Sequence, residues 1–343
     1  MSQQVPNPKD SPEDEIDLDE EQEAVPETTV ARELDPDLGG LRLDAAAARA
    51  FPEYSRARLQ QWIKEGRLTL NGAVPKGKER VLGGERVELR VLQEVQEDFA
   101  PEPMPLDIVY EDDALIIVNK PVGLVVHPAA GNRSGTLLNG LLAHCPELAQ
   151  LPRGGIVHRI DKDTSGLLVV AKTLSAHQDL VAQLQQHSMT RRYEAVVHGV
   201  VTAGGTVDAA IGRHQTQRQK RAVVEADAPD ARPAVTHYRV KTRFRSHTHL
   251  TLQLETGRTH QIRVHMAHVG FPIVGDPVYG GRLKLPKGAA PELLDFLQQF
   301  RRQALHARVL GFEHPDMGEY MEWESPLPED FMQLLELLEQ DRA

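Results

Sequence analysis

The chain has 343 residues, 40% of them hydrophobic, a single cysteine and a formal charge of −11. That length exceeds one comfortable core, so two folded units are expected, and the lone Cys145 excludes an internal disulfide and a cysteine zinc cluster. No apolar run approaches the roughly eighteen residues of a membrane span, and the N-terminus lacks the basic head and apolar body of a secretory signal, so the expected setting is reducing and cytoplasmic.

Charge is unevenly spread. Residues 1–40 hold 13 acidic and 2 basic residues, whereas the remaining 303 hold 37 of each. The part expected to fold is therefore neutral overall and can segregate a basic face of the kind that binds phosphates. Residues 1–38 are acidic, contain proline and lack aromatics. Too little apolar surface is available there to offset ordering entropy, which predicts a disordered tail.

A small unit is expected over 39–92. Residues 41–50 read as a helix, and 55–64 as a second with Ser55 as N-cap and Gly66 closing it. Residues 68–72 read as a strand with an Asn-Gly turn. Residues 86–90 alternate strictly, as a strand does. A Glu/Pro-rich linker follows over 93–106. In the large domain, 107–343, strands are predicted at 114–119, 167–172, 193–200, 238–244 and 250–254. Helices are predicted at 178–187 and 329–338. Repeated βαβ units are few, so the expected class is α+β, with a mixed, mainly antiparallel sheet and helices around it.

The most informative stretch is residues 158–172, HRIDKDTSGLLVVAK. It places Asp161 between Arg159 and Lys162, ahead of a polar turn and an apolar strand. A carboxylate flanked by cations at the lip of a strand can be held ionised and aimed. Taken alone, such an aspartate is more often a turn residue. Four other stretches change that reading. They are 113–128 (DALIIVNKPVGLVVHP), 192–199 (RYEAVVHG), 254–265 (LETGRTHQIRVH) with 275–280 (GDPVYG), and 303–307 (QALHA).

In this order the five stretches resemble the RNA pseudouridine synthases, above all those that modify 23S, large-subunit ribosomal RNA. Residues 39–92 resemble an S4 RNA-binding domain. The resemblance implies an isomerase that breaks the C1′–N1 bond of a uridine, turns the base and joins its C5 to C1′. Breaking a glycosidic bond builds positive charge on the sugar. A carboxylate can trap that carbon, shield its charge or remove a sugar proton, and the sequence leaves these roles open for Asp161. By the same resemblance Arg263 pairs with the aspartate, with Arg258 as the competing choice, and Tyr193 stacks on the base and joins the C5 proton step.

The target uridine must be extruded from folded RNA, and basic groups should hold the backbone. In the S4-like unit these are Arg56, Arg58, Lys64 and Arg67. In the large domain they are His158, Arg159, Arg258, and Arg213, Arg218, Lys220 and Arg221 of an exposed loop. The histidines between 260 and 268 lack the spacing and companions of a metal site, so no metal is expected. The reaction is redox-neutral and no cofactor is expected. The expected partner is ribosomal RNA, free or within an assembling subunit, met by a monomer. A non-catalytic RNA binder has no need of Asp161, Tyr193 and Arg263 together, and a glycosidase-like hydrolase would want two carboxylates about the cleft.

Overall fold

The computed structural model describes residues 27–52, 56–75, 79–92, 99–128, 132–214, 216–217 and 220–342. Two compact units meet in sequence between Glu97 and Asp98.

The first unit contains β1 (Glu27–Glu33), α1 (Leu43–Ala50), α2 (Arg56–Lys64), β2 (Leu68–Leu70) and β3 (Arg86–Leu92). The strands form an antiparallel sheet in the order β1-β3-β2. Leu43, Ala46 and Ala47 of α1 and Leu59, Trp62 and Ile63 of α2 repeat at helical spacing and are buried against Val87 and Leu89 of β3. The expected disordered tail needs correction from residue 27 onward. β1 pairs with β3 from Glu27 opposite Leu92 to Glu33 opposite Arg86. Leu34 and Leu38 then enter the core. An outer strand satisfies its backbone on one neighbour and leaves charged side chains in water, so acidic composition did not preclude order here. The rest of the tail, 1–26, and the Ser55 cap lie outside the described residues.

The second unit carries β4 (Ile108–Glu111), β5 (Leu115–Lys120), α3 (Leu137–His144), β6 (Ser165–Ala171), α4 (Leu174–Gln185) and β7 (Thr190–His198). β8 (Gly205–Asp208), β9 (Ile211–Arg213), β10 (Arg221–Val223), β11 (Val235–Arg243) and β12 (His247–Leu254) follow. The unit ends with α5 (Gln261–His268), α6 (Pro291–Gln299), β13 (Leu305–Glu313), β14 (Tyr320–Glu324) and α7 (Glu329–Gln340). Nine strands form one sheet, β4-β5-β6-β13-β7-β12-β11-β8, with β14 beside β13. β6 and β13 run parallel, and the other named pairs in this sheet are antiparallel. The fold is α+β with a mixed, mainly antiparallel sheet.

Both faces of the sheet centre are covered. Ile116, Val118, Leu168 and Val170 point into the main core with α3. Their strand neighbours Leu115, Ile117, Leu167 and Val169 point into a second core with residues of α4. A strand buried on both sides reads as an unbroken apolar run, which is why β5 and β6 stand out in the sequence.

The expected linker also needs correction. Residues 93–98 lie outside the described residues, but 99–106 form a strap on the second unit. Asn139 Nδ2 donates to the Ala100 carbonyl at 2.8 Å, Gly135 N donates to Glu102 at 2.9 Å, and Leu106 packs on the core. Glu and Pro composition marked an extended backbone there, and its carbonyls and apolar side chains found partners on α3.

Candidate active site

Asp161 lies in the turn that leads into β6. The turn closes through Thr164 N donating to the Asp161 carbonyl at 3.0 Å. The next carbonyl, Lys162, accepts from Gly123 N at 2.9 Å and from Lys120 Nζ at 2.8 Å. The ammonium of Lys120 is fully buried and also donates to the carbonyls of Pro121 and Leu124. A buried cation is sustained only by such a set of acceptors, and here they clamp the aspartate turn to the turn after β5. Gly166 begins the close approach of β6 to β13. Its φ is +115°, and a Cβ there would fall 2.2 Å from the Ala307 carbonyl oxygen, so only glycine fits.

Arg263 projects from α5. Its Nη1 donates to Asp161 Oδ2 at 2.8 Å. Its Nε and Nη2 donate to the two oxygens of Asp276 at 2.8 and 3.1 Å, and its guanidinium lies over the Tyr279 ring, 5.1 Å from the centroid. Asp276 has a fully buried carboxylate and also accepts from Val278 N and Tyr279 N. Burial opposes charge on both partners but is outweighed. The two carboxylates push the Arg263 pKa up, and Arg263 with the two amides holds Asp276 below the usual carboxylate range. The guanidinium thus uses a fork on Asp276 to fix its orientation and spends its remaining edge on Asp161.

β7 delivers Tyr193, opposite Ala307 of β13 and Leu252 of β12. Burial pushes its phenol pKa up, with the Arg191 charge opposing and Asp161 adding. Asp161, Tyr193 and Arg263 line one cleft of ≈ 540 Å³ together with His158, Arg159 and Arg258. Arg153, Arg191, Thr256 and His260 also line it, and among the described residues Asp161 is its sole acidic lining residue.

The expected RNA contacts divide. Arg159 donates to Thr259 Oγ1 at 2.9 Å on the cleft wall. Arg258 donates to the Pro233 carbonyl at 3.3 Å, so it is Arg263 that bonds the aspartate. His158 accepts from Val169 N through Nε2 at 3.1 Å, and burial, with the Arg191 charge adding, pushes its pKa down to about 3. It is a neutral ring that fixes the loop. The two ends of the basic run 213–221 lie in strands rather than in an exposed loop. β9 and β10 pair there, with Arg213 opposite Arg221, and Arg221 N donates to the Tyr279 hydroxyl at 2.9 Å. Arg213 is exposed, Lys220 and Arg221 are half-buried, and Arg218 lies outside the described residues. The short run could pair because Ile211 and Val223 anchor it.

In the first unit Arg56 donates through Nε and Nη2 to the buried Asp44, at 3.0 and 2.7 Å. Burial raises the pKa of Asp44, but Gln60, Arg56 and Arg42 outweigh that and bring it down to about 2. Lys64 is exposed on α2, and Arg67 bonds Glu65 at 2.8 Å. Arg58 lies on α2, with its side chain outside what is described. These residues belong to a different unit from the cleft.

Sequence reading assigned no role to Asp276 or Tyr279. Asp276 and Tyr279 lay in view within the GDPVYG stretch, but their link to Arg263 spans a turn that spacing does not reveal.

Comparison with known proteins gives the family. A family profile described as RNA pseudouridylate synthase matches residues 114–268, and an S4 domain profile matches 41–87. A relative from Pseudomonas aeruginosa, ribosomal large subunit pseudouridine synthase D, is 59% identical over 91% of this chain and 96% of its own. The Escherichia coli K12 protein of the same name is 55% identical over 88% of this chain and 92% of its own. A solved structure of human RNA pseudouridylate synthase domain containing 4 superposes with a TM-score of 0.54 at 26% identity, covering 68% of this chain and 92% of that one. A chain with this cleft, this sheet and these relatives belongs to the RNA pseudouridine synthase family and carries an S4 domain ahead of its catalytic domain.

Proposed function

We propose that the protein isomerises uridine to pseudouridine in 23S ribosomal RNA of the large subunit, with Asp161 as the catalytic carboxylate. The observation that carries this reading is the ion pair of Asp161 with Arg263 in a cleft whose one acidic lining residue, among the described residues, is Asp161. The names and coverage of the relatives supply the RNA class.

In this reading an extruded uridine enters the cleft and stacks on Tyr193. As the C1′–N1 bond weakens, positive charge grows on the sugar. Asp161 meets that charge, by covalent capture of C1′, by shielding or by taking a sugar proton. Arg263 keeps the carboxylate aimed throughout, and Asp276 keeps Arg263 aimed. Once C5 has joined C1′, the C5 proton leaves, with Tyr193 lining the cleft as the group to assist it, and N1, released from the sugar, takes up a proton, so that atoms balance. Substrate and product are isomers, so the balance needs no oxidant, reductant or cofactor. The basic wall holds the RNA backbone, and the S4 domain binds flanking RNA.

Incubating the protein with unmodified 23S rRNA, free and in isolated precursor subunits, and mapping pseudouridine tests this. New pseudouridine at defined positions is expected. Its absence on both substrates overturns the proposal.

A further inference from the structure

Arg191 is a cleft arginine whose surroundings the functions above do not account for. It sits on β7 two residues before Tyr193, so both side chains leave the same face of the strand and both line the cleft. The residue is 7% exposed. Its Nη2 donates to the Glu255 carbonyl at 2.8 Å. Its Nε is buried with no hydrogen-bond partner, and among the described residues no carboxylate pairs with it. Burial lowers its pKa, Tyr193 opposes that, and the charge of Arg258 adds to it. Gly257 makes the room: a Cβ at that position would stand 2.7 Å from Nη1 of Arg191.

A buried guanidinium in the field of a second cation, without a carboxylate, is costly in the empty protein. Elsewhere in this unit buried cations are neutralised. Arg263 has two aspartates and Lys120 three carbonyls. Arg191 has one carbonyl and a buried Nε–H without a hydrogen-bond partner, on a side chain that lines a cleft that admits substrate. The missing counter-charge is one that arrives with the ligand. In RNA the anion within reach of a bound nucleoside is its own phosphodiester, whose oxygens accept the planar fork of an arginine.

We propose that Arg191, with Arg258 beside it, forms the subsite for a phosphodiester directly flanking the extruded uridine. Arg191 thereby positions the nucleotide against Tyr193 and Asp161. The proposal rests on the isomerase reading above and adds to it the group that registers the substrate.

The test is a double-mutant cycle on the full-length protein. The target uridine is first mapped with the wild type on a 23S rRNA transcript. Binding is then measured in an Asp161→Asn background, with and without Arg191→Met, to the corresponding stem-loop carrying either natural phosphates or a single neutral methylphosphonate on the 5′ or the 3′ side of that uridine. Arg191→Met should weaken the natural RNA about tenfold and a methylphosphonate RNA less than about twofold, since a charge-assisted bond is lost only where the charge is present. The salt slope of log affinity should fall by about 0.7, the increment for one phosphate contact on a single strand. Arg191→Lys should keep the slope. Equal weakening on all three RNAs, or an unchanged slope with a lowered melting temperature, assigns Arg191 a purely structural part and overturns the subsite. If the wild type makes no pseudouridine, the isomerase reading fails and the subsite with it. Pseudouridine formed without coupling overturns the subsite alone.

Discussion

Arg263 reaches across 102 residues of chain to Asp161, Nη1 to Oδ2 at 2.8 Å, while the rest of its guanidinium is locked on Asp276. The aspartate is therefore aimed by a side chain that is itself held from behind. This arrangement separates the effects of substitutions at each member.

Asp161→Asn keeps the shape and one hydrogen-bond acceptor but removes the charge. Isomerisation should fall below about a hundredth of wild type, because loss of an essential group normally costs more than about 2.7 kcal/mol in the barrier. RNA affinity should be largely retained. Single-turnover assays beside binding titrations check both, and turnover above that level would deny Asp161 a direct role.

Arg263→Lys retains charge but cannot hold Asp276 with a fork and reach Asp161 at once. It should lower both turnover and melting temperature, the latter because Asp276 is left buried without its partner. Arg258→Lys should leave turnover at saturation near wild type and change affinity and its salt dependence. Reversal of these two patterns would exchange the roles assigned to the two arginines.

Deleting residues 1–97 should weaken RNA binding yet leave turnover at saturating stem-loop intact. The S4 domain has its own core, and the cut spares the 99–106 strap. A truncated protein that melts cooperatively but is inactive at saturation would refute this division of labour.

Three histidines with strongly depressed pKa values should contribute to the acid side of stability. Burial pushes His158 down to about 3 and His247 and His306 down to about 4. His306 is neutral between Ser165 and Ser325, each 2.9 Å away. In the unfolded chain each ring takes up a proton near pH 6.5, whereas the native ring stays neutral. Their contribution is therefore complete above about pH 6.5 and is lost as pH falls toward about 4, each ring adding at most about 1.4 kcal/mol per pH unit. Denaturant unfolding across that range should show the slope, and His306→Asn should flatten it while lowering stability at pH 8. An equal slope in the variant would remove His306 from the account.

Glu194 acts in a lower window. Burial raises its pKa, but His249 and Lys241 outweigh that and bring it down to about 2. Its contribution is complete above the ordinary glutamate range and is lost as pH falls from about 4.5 toward about 2. Glu194→Gln should flatten the stability curve there, as denaturant unfolding below about pH 4.5 would show.

The sequence by itself determined the class of the protein, because the chemistry is carried by local runs. β5 and β6 are legible as apolar runs, since both their faces are buried. Asp161 is legible from the cations and turn around it, and α1 and α2 from their apolar spacing. The α5 helix was not legible. It buries Gln261, Arg263 and His265 along with Ile262, Val264 and Met266, so no apolar stripe marks it. Its polar side chains are satisfied by distant groups, Gln261 by Thr236 and the Val235 carbonyl, and His265 by Thr236 and the Ala209 carbonyl. β1 was hidden by its acidic composition, because its stability comes from pairing with a strand more than fifty residues on. Only the tertiary structure decided that Arg263 reaches Asp161, that Asp276 holds Arg263, and that Arg191 is buried without a counter-charge. Each of these depends on which elements the sheet brings together, and the energy of a buried charge is set by such neighbours rather than by its place in the chain.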